Sequence, residues 1–177
     1  FTPTLTQAWH VEQRQKFCND FYHIRGQFYK LLWFLGNSAP KCAIDRALIL
    51  DNIREEFGGE EHVQHEQLYL RFAKAHDVHH LEQEFITCSH QPDYIERYNQ
   101  EQLMWFAAQP WDSKMAGFAA YERLDNTDYG YLLELGRSLD NTAYELEFFK
   151  VHNHANHFTR LQERLSDIWQ RDRHIVK

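Results

Sequence analysis

Apolar residues recur at intervals of three and four through most of the chain, the spacing that lays a stripe along one side of an α-helix. Phe17, Phe21, Ile24, Phe28, Leu31 and Leu35 form the first stripe, which ends at Gly36-Asn37-Ser38-Ala39-Pro40. A second helix is predicted from about Lys41 to Phe57, with Asp45, Ile49, Ile53 and Glu56 on one face. It stops at Gly58-Gly59, where glycine readily takes the left-handed conformation of a helix end. A third helix, from near Glu61, carries His65, Leu68, Phe72 and Ala75 and ends before His79-His80, and a short fourth spans about Leu81 to Ile86. Beyond the Cys88 to Pro92 loop, Asp93 to Ala108 reads as helix. Pro110 marks a break before Asp112 to Leu124, where Met115, Phe118, Ala119 and Glu122 share a face. Asp125-Asn126-Thr127-Asp128 then reads as a turn, followed by a helix from Tyr129 to Leu139. Asp140-Asn141-Thr142 caps the last long helix, which holds Phe148, Phe149, His152 and Asn156. No strand-like alternation of useful length and no internal repeat interrupts this pattern. The expectation is an all-α bundle of about seven helices, forming one domain over residues 1–177.

Composition narrows the function classes. The formal charge is -7, from 26 acidic against 19 basic residues, and Lys and Arg are scattered rather than gathered into a stripe, so no nucleic-acid partner is expected. No run of about 18 apolar residues is present to span a membrane. Cys18, Cys42 and Cys88 are odd in number and make no CxxC, which argues against a disulfide framework or a thiolate zinc site and suits a reducing cytoplasm. No secretory leader follows Phe1, and the native start is left open. Among the 12 histidines, His76, His79 and His80 surround a turn-like segment with Asp77 and read as solvated imidazoles.

The chemistry lies on the apolar stripes. Glu56, His65, Glu122 and His152 each occupy a stripe, at or near its end, on four different helices. A carboxylate so placed is costly to bury unless it is paired or bound to metal. Carboxylates and imidazoles converging from several helices are the usual way a bundle holds iron or manganese. The same residues also read as ordinary fraying, with Glu56 preceding a glycine stop and His152 a hydrogen-bonded core histidine. His152, His154 and His157 point in three directions on one helix; only His154 and His157 share a face, as a solvent-facing pair.

The stretch Leu50-Asp51-Asn52-Ile53-Arg54-Glu55-Glu56-Phe57-Gly58-Gly59, followed by His65-Glu66-Gln67-Leu68-Tyr69 and Phe72, resembles the helix, loop and helix signature of the heme-oxygenase-like di-iron oxidase and oxygenase superfamily. Ala119-Ala120-Tyr121-Glu122 resembles that family's mid-chain ligand segment, and Phe148-Phe149-Lys150-Val151-His152 resembles the approach to its last histidine helix. The resemblance runs nearly the whole chain and begins with Leu5 to Pro40, which is similar to the family's first core helix. It implies a heme-oxygenase-like, TenA-like bundle with Glu56, His65, Glu122 and His152 as iron ligands. Where active members carry His, Asp and His on the final helix, this chain has His152, Asn156 and Thr159. Asn156 offers an amide oxygen and Thr159 a poor donor, so one of the two metal positions is expected to be weak or empty. Glu55 and Glu145 are substitute carboxylates.

The resemblance further implies oxidation of a small apolar or aromatic molecule at one or two iron ions, in a cavity walled by residues such as Phe21, Phe28, Tyr121, Phe148 and Phe149. No further catalytic residue is singled out, and a homodimer is compatible with the sequence. The alternatives are a degenerate member that holds no iron and only binds a ligand, and a TenA-type aminopyrimidine hydrolase in which Cys18, Cys42 or Cys88 supplies the nucleophile. A relative of the pyrroloquinoline-quinone synthase kind would need a basic cluster, which the negative balance disfavours.

Overall fold

The computed structural model describes residues 9–25, 28–41, 43–58, 63–87, 92–154 and 157–174, and of residues 85–87 and 157 only the backbone. Helix is the sole regular structure among them: α1 (Val11–Arg25), α2 (Phe28–Ser38), α3 (Ala43–Phe57), α4 (His65–Ala75), α5 (Leu81–Thr87), α6 (Asp93–Ala108), α7 (Trp111–Ser138), α8 (Glu147–His154) and α9 (His157–Arg171). The all-α class expected from the periodicity is the one found. No helix among the described residues is long and apolar enough to cross a membrane.

Local signals in the sequence set several of the ends. Gly58 takes φ of 72° just after α3, a left-handed conformation that costs glycine little. Pro110 precedes the first residue of α7, where its missing N–H costs nothing. Before α8, the Thr142 hydroxyl accepts from the Glu145 N–H while the Glu145 carboxylate accepts from the Thr142 N–H, a reciprocal capping box.

One expectation fails. The cluster Asp125-Asn126-Thr127-Asp128 is not a turn but the middle of α7, which runs unbroken for 28 residues, about 42 Å. Tertiary partners override the local preference of these residues. Asp125 is paired with Arg25 of α1 at 2.8 Å, and the Asn126 side-chain amide donates to the His152 carbonyl of α8.

The length of α7 organises the core. Its second half, with Tyr129, Leu132, Leu133 and Leu135, packs with α1, α4 and α8 into one apolar cluster. Its first half, with Met115, Phe118 and Ala119, packs with α2, α3 and α9 into another. Gly136 of α7 lies against Leu146, the residue just before α8, where an added Cβ would overlap Leu146 Cδ2. The second cluster is pinned by Asp45, which is fully buried and accepts from Trp111 Nε1 at 2.6 Å and from Arg164 Nε at 2.7 Å. Arg164 also reaches Asp112 at 2.8 Å, so one guanidinium ties α3, α7 and α9.

His76 also departs from expectation. It is buried rather than solvated, packed on Phe72 with ring centroids 4.9 Å apart and 3.2 Å from the Asn141 amide, and burial lowers its basicity. His79 and His80 are exposed as expected.

Candidate metal centre

Three of the residues singled out from the sequence converge on one another. Glu56 stands in the last turn of α3, His65 is the first residue of α4, and His152 lies on the inner face of α8. Glu56 Oε1 is 3.3 Å from His65 Nδ1 and 3.6 Å from His152 Nε2, and one donor atom from each residue falls within 4.8 Å of the others. First-row metal bonds of about 2.0–2.2 Å set neighbouring donors about 3 Å apart, so this spacing is close to that of a ligand set.

The hydrogen bonds around the three point the same way. His152 Nδ1 donates to the Phe148 carbonyl at 2.8 Å, which fixes the ring with Nε2 toward Glu56. His65 Nδ1 is buried and, although near Glu56, makes no hydrogen bond. Such an atom costs about 1–3 kcal/mol if nothing engages it. Burial would raise the Glu56 carboxyl, but the His152 and His65 imidazoles beside it hold it well below the usual carboxylate range. Burial lowers the basicity of His152 against the pull of Glu56. Two imidazoles and one carboxylate form the two-histidine, one-carboxylate donor set that suits ferrous iron with positions to spare.

A cavity of about 60 Å³ opens on the three residues, with Tyr22, Arg25, Tyr69 and Phe148 among its walls. Tyr22 closes one side by donating to Glu66 at 2.6 Å. Arg25 also lines a second cavity of about 580 Å³, walled by Phe17, Phe21, Tyr98, Tyr121, Leu124 and Tyr129 among others.

The remaining residues singled out from the sequence fall elsewhere. Glu122 is buried on α7 but lies outside the 4.8 Å cluster. Asn156 lies outside the described residues, and Thr159 is exposed on α9. Glu55 faces Arg160 at 3.8 Å, and Glu145 is taken up by the capping box. His154 is exposed. Of the expected wall residues, Phe148 lines the small cavity and Phe21 and Tyr121 the large one. Phe28 stacks on Tyr121 and Phe149 packs on Phe72. Cys18 is buried, and burial pushes its thiol up to about 12, unlike a nucleophile poised for ionisation. Cys42 and Cys88 lie outside the described residues.

A family model described as iron-containing redox enzyme matches residues 15–158, a span that holds Glu56, His65, Glu122, His152 and Asn156. The chain belongs to the iron-containing redox enzyme family. It therefore shares the heme-oxygenase-like, all-α fold of that superfamily. No curated protein matches the chain.

Sequence reasoning overlooked Arg25. Its guanidinium donates to Tyr121 at 2.6 Å, pairs with Asp125 at 2.8 Å, and lies over the rings of Phe28, Tyr121 and Tyr129. Burial works against its charge, but Tyr121, Tyr129, Asp125 and Glu56 around it keep it cationic. The available signal was a charge set four residues after Phe21 and three before Phe28, inside an apolar stripe. Here a fixed cation already stands among the carboxylates of Glu56 and Asp125.

Proposed function

We propose that this protein is a non-heme iron oxidase or oxygenase acting on a small apolar or aromatic molecule, with Glu56, His65 and His152 holding one ferrous ion. The family match supports iron-dependent redox chemistry in general terms. The observation that carries the specific reading is the orientation of His152, whose Nδ1 is held by the Phe148 carbonyl while Nε2 faces Glu56 and His65.

Bound there, iron would supply activation of dioxygen and the oxidising power directed at the substrate. The protein's own groups would do the rest. Glu56 would offset part of the ion's charge, and three protein donors would leave positions open on it. Tyr129, stacked on His152 at 4.4 Å, and Phe148, 4.4 Å away on another side, hold that ring in place and keep water from it. The Tyr22 to Glu66 hydrogen bond closes the rim of the small cavity. Arg25 and Asp125 together add no net charge.

The test is oxygen uptake by anaerobically purified protein after addition of ferrous iron, with Glu56→Ala and His152→Ala alongside. Uptake well above that of free ferrous iron, lost in both variants, is the expected result. Uptake no faster than free iron would overturn the oxidase reading. It would leave a ligand-binding member of the family, a reading favoured by the exposed position of Thr159 on α9.

A further inference from the structure

We infer that the 580 Å³ cavity next to the Glu56, His65 and His152 cluster takes an organic amine with an aromatic or apolar body. Its volume lies in the range that encloses a drug-sized molecule. Its walls are ring faces and aliphatic groups, chiefly Phe17, Phe21, Tyr98, Tyr121, Tyr131 and Leu124. Three charged residues line it, Arg25, Asp125 and Asp128, with no lysine or histidine beside them. Arg25 and Asp125 neutralise each other at 2.8 Å. Asp128 is exposed and lies one turn further along α7 from Asp125, so the lining keeps one negative charge on the side that solvent and ligand reach.

Aromatic faces with one uncompensated carboxylate recognise a cation through ring quadrupole and charge together. Tyr98 and Tyr131 are about half exposed, at 49% and 60%, and present their rings to an incoming group. The cavity is also placed to deliver its occupant. Arg25 lines both cavities, and the ring of Tyr129, which lines the larger one, stacks directly on His152. As the substrate class of the enzyme, this inference rests on the iron reading. As a binding property, it does not.

The test therefore uses protein freed of metal. Binding of 2-phenylethylamine and of phenylacetate, which share a body and differ in the sign of the end group, is measured by calorimetry at neutral pH. The amine is expected to bind at least fivefold tighter than the acid and to weaken as salt is raised. Asp128→Asn is expected to weaken the amine about three- to fivefold, the scale of one exposed ion pair, and to leave the acid unchanged or improved. Tyr98→Ala, at an exposed position that does not support the core, is expected to weaken the amine as well. Equal or tighter binding of the acid, indifference to Asp128→Asn, or no binding of either compound would overturn the inference. Because no iron is present, failure here leaves the oxidase reading standing, and failure of iron-dependent uptake leaves amine binding standing.

Discussion

The imidazoles of His65 and His152 stand with ring centroids 4.5 Å apart, although one opens α4 and the other lies deep in α8. Two buried histidines are rarely brought so close for packing alone, because each carries ring nitrogens that need partners. Here Glu56 lies against both, His152 Nδ1 is satisfied by Phe148, and His65 Nδ1 makes no hydrogen bond. An ion between the three would engage that atom.

The close fit of Gly136 against Leu146 makes the packing of α7 on the segment before α8 sensitive to a single methyl group. In an open helix Gly→Ala stabilises by up to about 1 kcal/mol. At position 136 the new Cβ would overlap Leu146 Cδ2, and Leu146 is itself buried. Gly136→Ala is expected to destabilise by about 1–3 kcal/mol in urea unfolding. The cost should shrink when Leu146→Ala is already present. Equal costs in the two backgrounds would show that the close approach does not limit this position.

Asp45 and Arg164 behave as a buried pair whose members depend on each other. Arg164→Met leaves the fully buried Asp45 carboxylate with Trp111 as its remaining partner in this network. A loss of about 3–5 kcal/mol is expected, while Asp45→Leu combined with Arg164→Met should cost less than Arg164→Met alone. Equilibrium unfolding of the three variants measures this directly. Additive losses would contradict it.

Much of this fold was legible because helix period and end signals act over a few residues. The stripe Phe148, Phe149, His152 is buried as its period indicates, while Glu56, at the end of the stripe Ile49, Ile53, is half-buried. The misreadings share one physical cause. Asp125 to Asp128 have strong turn preferences, yet they are helical because Asp125 meets an arginine 100 residues away and Asn126 reaches the backbone of α8. His76 looked like a solvated turn histidine, yet Phe72 and Asn141 cover it. Arg25 was overlooked for the same reason. Pairings across helices leave no periodic trace.

Asp125 gives stability a defined dependence on pH. Burial pushes its carboxyl up to about 6; Arg25 pulls it down, while Glu122 and Glu56 push it further up. A carboxyl raised on folding holds its proton more tightly in the native chain. Its contribution is therefore most favourable below the ordinary value near 3.8 and is lost as pH rises through about 6. Asp125→Asn removes that titration and keeps an oxygen for Arg25. Relative to the parent, the variant should gain on the order of 2 kcal/mol between about pH 4 and pH 6.5, read from urea midpoints. A difference that stays flat with pH would contradict this assignment.

The most direct test of the account is the amount of iron held per chain after anaerobic loading with ferrous ion and removal of the excess, for the parent protein, Glu56→Ala, His65→Ala and His152→Ala. One ion per chain, lost in all three variants while Glu122→Ala retains it, is the expected result. Iron at background levels in the parent, or iron retained when the three residues are changed one by one, would contradict a metal centre built on Glu56, His65 and His152.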